Sequence, residues 1–184
     1  MKRLLDGERV RLNALTKDDL PQMAQWYENT EFLRLLDARD AYPQTAAKLS
    51  EWLDEHAKST TAYIFAIRLR PEDRLIGFLE LDGILWNQGA SWLGIGIGET
   101  DCQGQGYGYE AMALALDFAF DELNLHRVQL TVFEYNERAI RLYEKLGFQR
   151  EGSFREFLYR DGQRFDMYLY GLLRKEWEQH REEI

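Results

Sequence analysis

A cluster of glycines and glutamines at positions 103–108 is the part of the sequence best suited to bind an anion. It reads Gln-Gly-Gln-Gly-Tyr-Gly, follows the apolar run 92–98 and precedes a long amphipathic stretch, 109–122. This order predicts a strand, a glycine turn and a helix start, where several backbone N–H groups can point at one anion. Glycines at alternate positions also let the backbone approach a ligand without Cβ clashes. We therefore expect a phosphate or pyrophosphate to bind at this glycine turn, residues 103–108.

Three other interpretations of the glycine turn differ in what they require. A Walker loop ends in Lys-Ser or Lys-Thr, and the turn is followed by Tyr109 and Glu110 instead, which disfavours nucleoside triphosphate hydrolysis. A dinucleotide fingerprint stays open, because residues 106–111 fit G-x-G-x-x-A and Glu134 ends the next strand-like run. The polar residues 99–103 and the single visible β-α-β unit count against it. A purely structural turn would need one glycine with positive φ rather than three spaced ones.

A second constellation lies at residues 136–148, Asn-Glu-Arg-Ala-Ile-Arg-Leu-Tyr-Glu-Lys-Leu-Gly-Phe. It predicts a helix with Asn136 as N-cap and Gly147 as the left-handed stop. One face of this helix carries an amide, two apolar groups and a phenol: Asn136, Ala139, Ile140 and Tyr143. That face can border a ligand. The alternative is that the apolar and phenol side chains are ordinary core contacts.

The remaining pattern predicts an α+β fold with a mixed, mostly antiparallel sheet. Strands are expected at 9–15, 63–69, 75–81, 90–97 and 127–133, with two more around the Asp161-Gly162 turn. Helices are expected from Thr16 or Asp18 to about Asn29, after Pro43, from 109 to 122, from Asn136, and as a solvated segment at 175–184. Apart from that last segment, the predicted order is β-α-α-β-β-β-α-β-α-β-β. The sequence shows no linker or repeat, so we expect a single domain over residues 1–184.

Together, Gln103-x-x-Gly106-x-Gly108 and the later Asn136-x-x-Ala139-x-x-x-Tyr143-x-x-x-Gly147-Phe148 resemble the GNAT family of N-acetyltransferases. Within the family the chain is similar to the branch of ribosomal-protein N-terminal and spermidine acetyltransferases. The resemblance covers essentially the whole chain and is strongest in the C-terminal half. It implies a central sheet with helices on both sides, whose fourth and fifth strands splay apart to admit the cofactor.

The resemblance also implies that acetyl-CoA is the cosubstrate and that it binds along both motifs. The implied cofactor-binding residues are Ile95, Ile97, Gln103, Gly104, Gln105, Gly106, Tyr107, Gly108, Asn136 and Ala139. Three glycines in the fourth strand call for a reason, because glycine weakens strands. The resemblance supplies one, since the pantetheine arm would pair with this strand edge through the main chains of Ile95 and Ile97. A close contact with a neighbouring strand is the alternative.

Acetyl transfer to an amine needs a group that takes a proton and a group that gives one. A free alkylamine is mostly protonated at neutral pH and must be neutral to attack the thioester. By resemblance, Tyr143 protonates the leaving thiolate. Glu80, an acidic residue in an apolar strand, is the first candidate base because burial raises a carboxyl pKa. An outward-facing Glu80 in ordinary strand alternation is the alternative, with Glu99 as second candidate and a water relay as third.

Composition limits the partners. The chain has 184 residues, 45% of them hydrophobic, and a net charge of −9, which disfavours nucleic acid and anionic membranes. The charge favours a cationic acceptor, although it is also explained by solubility alone. A polar start at residues 1–6, no long apolar run and a single cysteine, Cys102, predict a cytoplasmic protein without disulfides. The three scattered histidines and this one cysteine predict no metal site.

The sequence therefore predicts an N-acetyltransferase that moves the acetyl group of acetyl-CoA to a primary amine by direct attack. The acceptor is left open among a peptide N-terminus, a polyamine and a small-molecule amine, and so is a homodimer. The alternative is a non-catalytic regulatory domain that binds an acyl-CoA or a nucleotide. Tyr143 counts against that alternative, because binding alone does not need an acid.

Overall fold

The computed structural model describes residues 4–182 and is built around one seven-stranded sheet. The strands, numbered along the chain, are β1 Val10–Ala14, β2 Tyr63–Leu69, β3 Leu75–Leu85, β4 Ala90–Ile97, β5 Arg127–Phe133, β6 Gln149–Arg160 and β7 Gln163–Leu173. Their order across the sheet is β1-β2-β3-β4-β5-β7-β6. Neighbours are antiparallel except β4 and β5, which are parallel. The predicted mixed, mostly antiparallel sheet is confirmed.

Helices cover both faces of the sheet, as predicted. They are α1 Leu20–Trp26, α2 Thr30–Leu36, α3 Ala46–Ala57, α4 Tyr107–Asp117, α5 Glu137–Lys145 and α6 Arg174–Glu182. Strand alternation sends Phe65 and Ile67 into an apolar cluster shared with α4, α5 and α6. Ala66, between them, joins a second cluster shared with α1, α2 and α3. We call these two sides the α4 face and the α1–α3 face.

The predicted element order is wrong in the first helical region, which holds three helices instead of two. The helix expected to run to about Asn29 ends at Trp26. Asn29 begins the new helix α2, because its side chain accepts hydrogen bonds from the backbone N–H groups of Glu31, at 3.0 Å, and Phe32, at 3.2 Å. Asparagine is a preferred N-cap, so the signal was present in the sequence.

The C-terminal helix also differs from its prediction as a solvated segment. Trp177 of α6 is only 2% exposed, and its indole N–H donates to Asp117 Oδ1 at the end of α4 over 3.0 Å. Arg181 donates to Asp117 and Asp121, at 3.1 and 2.7 Å. α6 is therefore docked against α4. The first three residues of the polar N-terminal segment and the last two of the predicted helix lie outside the described residues.

The sheet opens between β4 and β5. These strands pair only from Ala90 to Trp92 and from Arg127 to Gln129. Beyond these residues β4 keeps its pairing with β3, while β5 pairs with β7. The predicted splay of the fourth and fifth strands is confirmed. Within residues 4–182, no helix combines the length and the apolar character needed to cross a membrane.

Candidate active site

A cleft of about 740 Å³ lies where β4 and β5 part. Its walls come from the end of β4, the glycine turn, α5 and part of α2. The cleft brings together most of the predicted site residues: Ile95, Ile97, Gln103, Gly104, Gly106, Gly108, Asn136, Ala139 and Tyr143. Three predicted site residues are not among the described residues that line the cleft: Gln105, Tyr107 and Glu80. The two sequence motifs, about 30 residues apart in the chain, thus form opposite walls of one cavity.

The open edge of β4 presents the main chains of Ile95 and Ile97. The Gly98 N–H donates across to the Ile76 carbonyl of β3 over 2.9 Å. Because successive residues of a strand direct their backbone groups to opposite edges, those of Ile95 and Ile97 point away from β3. The carbonyl of Ile97 indeed accepts from the side chain of Gln103, at 2.9 Å, on that side. The other backbone groups at this strand edge can pair with an extended ligand.

The glycine turn has the backbone conformation of an anion-binding loop. Gly104 and Gly106 have φ of +73° and +85°, a region that side chains disfavour. Gly106 is also the N-cap of α4. Because glycine offers no side-chain oxygen, the N–H groups of the first helical turn are left for another acceptor. The positive end of the helix dipole faces the same space.

Two turn residues predicted to bind the cofactor, Gln105 and Tyr107, contact Arg9. The carbonyl of Gln105 accepts from Arg9 Nη1 over 3.0 Å, and the guanidinium of Arg9 lies 5.0 Å from the ring centroid of Tyr107. The Gln105 carbonyl and the Tyr107 ring therefore contact Arg9, and neither residue is among those that line the cleft. Gln103 does face the cleft and accepts from Arg138 Nη1 at 3.0 Å, which ties the turn to α5.

Helix α5 begins and ends as its sequence predicts. The side chain of Asn136 accepts from the N–H of Ala139 over 3.2 Å, and Gly147 has φ of +90°. Tyr143 is 8% exposed and lines the cleft from this helix. Burial raises the pKa of Tyr143 to about 12, so the phenol keeps its proton throughout the neutral range. The phenol can therefore act as a proton donor.

The glycines at 94, 96 and 98, in β4 and directly after it, lie against the α1–α3 face. Their missing side chains would all point to the α1–α3 face. A Cβ at Gly98 would lie 2.0 Å from the ring of Trp26, and one at Gly96 would lie 3.1 to 3.3 Å from Leu36, Phe32 and Phe78. These glycines accommodate side chains of α1, α2 and β3. Packing against helices and β3 therefore explains Gly96 and Gly98, whereas a Cβ at Gly94 would make only ordinary contact with Glu80, 3.4 Å away.

Glu80 lies on the α1–α3 face, beside β4. Its Oε1 is 3.4 Å from the position of a Cβ at Gly94, the residue before Ile95. Burial raises the pKa of Glu80, Asp82 raises it further, and His56 acts in the opposite direction. The side chains of β3 alternate between the two faces of the sheet, as the alternative assumed. The face that receives Glu80 is covered by α1–α3 and is not open to solvent. The arrangement places a carboxyl of raised pKa behind the strand that borders the cleft.

Glu99, the second candidate base, is already saturated with donors. Its carboxylate accepts from Gln22 Nε2 at 2.5 Å, from Trp26 Nε1 at 2.7 Å and from Arg74. Burial would raise the pKa of Glu99, but these hydrogen bonds outweigh burial and lower it. A carboxylate held in this way is a poor proton acceptor. Its position at the end of β4 instead fixes the Trp26 ring against Gly98.

Sequence reasoning missed a row of cations along the cleft. Arg138, Arg141 and Lys145 of α5 line it. Their spacing of three and four residues puts them on one side of a helix, so the signal was available. Within residues 4–182, no three His, Cys, Asp or Glu side chains gather into a metal-binding group.

These features can be compared with known proteins. A model of the acetyltransferase (GNAT) domain matches residues 9–149. The chain belongs to the GNAT acetyltransferase family. It is 28% identical over 172 residues to YokL of Bacillus subtilis (strain 168), an uncharacterized prophage-derived N-acetyltransferase, with 94% of each chain covered. It is 43% identical over 47 residues to spermidine N(1)-acetyltransferase of Escherichia coli (strain K12), covering 26% of this chain and 25% of that protein.

A solved structure extends the likeness to the whole fold. Spermidine N-acetyltransferase from Vibrio cholerae, in complex with CoA and spermine, has a TM-score of 0.84 at 27% identity. The match covers 92% of this chain and 98% of that chain. The predicted GNAT family is thus confirmed. The family assignment decides against the dinucleotide interpretation of the glycine turn.

Proposed function

We propose that this GNAT enzyme transfers the acetyl group of acetyl-CoA to a primary amine of a cationic, polyamine-like acceptor. The observation that carries the proposal is the cleft between β4 and β5, where the glycine turn and the phenol of Tyr143 meet. A binding-only domain would have no use for a buried, proton-bearing phenol at this position. The solved Vibrio cholerae relative with CoA and spermine supports the choice of both ligands.

Acetyl-CoA would occupy the cleft with its pyrophosphate at the glycine turn. The first-turn N–H groups of α4 would bind the phosphate oxygens, with Gln103 and Gly104 beside them. The pantetheine arm would pair with the main chains of Ile95 and Ile97, and Asn136 and Ala139 would border it from α5. Since Gln105 and Tyr107 face Arg9, we assign them contact through backbone groups only.

In the proposed reaction, the neutral amine nitrogen attacks the thioester carbonyl carbon and the carbon–sulfur bond breaks. Tyr143 gives its proton to the departing sulfur, and Glu80 takes the proton that the amine loses. The two groups lie on different sides of the sheet, since Tyr143 belongs to the α4 face and Glu80 to the α1–α3 face. The gap between β4 and β5 is the place where reactants from both faces can meet.

The acceptor side is acidic. Asp82 and Asp37 both raise the pKa of Glu80, and His56 and Arg39 act in the opposite direction. Tyr27 lies among the same groups, and burial together with Glu80 raises its pKa to about 12. Asp37 is already paired with Arg39 at 2.6 Å, so Glu80 and Asp82 are the carboxyls that an acceptor with several amines would meet. The net charge of −9 acts in the same direction at long range.

Thiol release from acetyl-CoA with a panel of amines tests the proposal. The panel holds a triamine, a diamine and short peptides with free N-termini. A neutral alcohol without an amine is the blank. We expect the highest kcat/KM with the triamine. Acetyl-CoA binding without thiol release for any amine would favour the regulatory-domain alternative, and peptide preference would overturn the acceptor class.

We also place the reaction in the cytoplasm, on the support of a single free and buried cysteine, Cys102. Recovery of the protein in an extracytoplasmic fraction would contradict this. The single domain and the homodimer stay predictions. Limited proteolysis and light scattering, respectively, test them.

A further inference from the structure

An arginine directly before the first strand contacts the glycine turn. Arg9, just before β1, donates from Nη1 to the Gln105 carbonyl at 3.0 Å and from Nε to Glu110 Oε2 at 3.2 Å. The other carboxylate oxygen of Glu110 accepts from the backbone N–H groups of Arg9, at 2.8 Å, and Val10, at 3.2 Å. The guanidinium also lies over the ring of Tyr107. Three residues of the turn and first helical turn therefore share one cation.

The position of Glu110 creates an electrostatic problem for the proposed ligand. Glu110 belongs to the first turn of α4, where the helix dipole attracts negative charge. Its carboxylate therefore competes with a pyrophosphate for the same positive helix end. The side chain is 18% exposed, so water screens its charge only in part. Without a partner, this charge would repel the pyrophosphate.

We infer that Arg9 is a positioning residue for acetyl-CoA, which neutralises Glu110 and draws its carboxylate toward β1, away from the pyrophosphate. The inference rests on the proposed function, because it needs the pyrophosphate at the glycine turn. Arg9 itself does not line the cleft among the described residues and takes no part in proton transfer. Its effect is on cosubstrate affinity, through the charge of Glu110 and the shape of the turn.

Calorimetric titration with acetyl-CoA tests the inference on four proteins: wild type, Arg9→Ala, Glu110→Gln and the double variant. Arg9→Ala should raise Kd about tenfold at low salt, as expected for one uncovered and partly screened charge. Glu110→Gln keeps the acceptor for the backbone N–H groups and should bind at least as well as wild type. The double variant should recover most of the lost affinity, and added salt should narrow the gap between wild type and Arg9→Ala.

Kinetics separate positioning from general loss of structure. Arg9→Ala should raise KM for acetyl-CoA in proportion to Kd and leave kcat at saturation unchanged. Arg11→Ala is the matched control, because Arg11 lies in β1 and pairs with Asp73 instead of the turn. It should leave both constants unchanged. Should Arg9→Ala fail to fold, Arg9→Gln and Arg9→Lys replace it, and only the Gln variant is expected to bind weakly.

Two results would overturn the inference: wild-type affinity in a folded Arg9→Ala or Arg9→Gln variant, or a double variant that binds as weakly as Arg9→Ala. The second result would mean that Arg9 acts only through the shape of the glycine turn and not through the charge of Glu110. A wild-type protein that binds no acetyl-CoA would instead refute the proposed function, so the two failures are distinguishable.

Discussion

At the scale of single residues, the candidate acid and the candidate base lie on different sides of the sheet. Tyr143 is buried on the α4 face, and Glu80 lies behind β4 on the other. Burial raises the pKa of both groups, but with opposite consequences. The phenol stays protonated to higher pH, so it is present as the acid. The carboxyl, once ionised, is a stronger base and takes up a proton more readily.

Replacing Tyr143 with Phe removes one oxygen and keeps the ring that packs 6.0 Å from Phe148. We expect kcat to fall roughly 10²-fold or more, the scale of general acid catalysis, with little change in acetyl-CoA affinity. Single-turnover rates and calorimetry measure the two quantities. Wild-type turnover at saturating substrates would remove Tyr143 from the mechanism.

Replacing Glu80 with Gln should separate activity from stability. As the base, Glu80 must be ionised. The kcat/KM of the wild type should therefore rise with pH, with a midpoint above the ordinary pKa of a carboxyl. In Glu80→Gln this rise should be absent, and the rate should be roughly 10²-fold lower. A raised carboxyl pKa means that the folded state binds the proton more tightly than the unfolded state. The stabilising contribution of Glu80 is thus present below the unfolded pKa and lost as pH rises through the folded one.

Once the pH is above the raised pKa, the ionised Glu80 therefore destabilises the fold, and Glu80→Gln should have the higher Tm there. Glu55→Gln, an exposed residue of α3, is the control and should change neither rate nor Tm. A Glu80→Gln enzyme of full activity would leave the water relay as the remaining candidate. A Tm difference between Glu80→Gln and wild type that does not grow as the pH rises would contradict the assigned direction of the pKa.

At the scale of elements, the glycines divide into those that serve packing and those that face the cleft. Gly98 belongs to the first kind, because the ring of Trp26 occupies the place of its Cβ. Gly98→Ala should destabilise the fold by about 1–3 kcal/mol, the usual cost of overpacking. Gly152→Ala in β6 is the control, since its Cβ would meet no atom within 4 Å. Denaturant unfolding compares them, and equal stability would contradict the packing explanation.

Gly108 belongs to the second kind. It lines the cleft, and a Cβ there would make only ordinary contacts, the nearest 3.6 Å from Leu142. In α4, Gly108→Ala should stabilise the helix by up to about 1 kcal/mol. It should also weaken acetyl-CoA binding, because the methyl group enters the space of the ligand. We expect greater stability together with a higher Kd for acetyl-CoA. Unchanged affinity would mean that acetyl-CoA does not contact the cleft at Gly108.

Particular residues explain which elements the sequence could predict. Asn136 and Gly147 mark α5 by local chemistry alone, and β2, β4 and β5 have the predicted bounds because apolar runs end at polar turns. The reason for Gly98 could not be predicted, since it depends on Trp26, which is about 70 residues away in the chain. The same holds for Arg9, whose partner Glu110 is 101 residues distant. Local signals predicted elements, and long-range contacts decided what those elements touch.

At the scale of the whole molecule, the net charge of −9 gives a last prediction about the acceptor. A field of this sign raises the local concentration of cations, and salt screens it over a Debye length of about 10 Å at 0.1 M. KM for a triamine should therefore rise several-fold between about 0.05 and 0.5 M salt, with kcat unchanged, whereas KM for a singly charged amine of similar length should change less. Steady-state rates in NaCl and in KCl measure this and separate screening from specific ion effects. Equal salt dependence for both amines would mean that only the reacting amine is recognised, and the acidic groups around Glu80 would then have no part in the choice of acceptor.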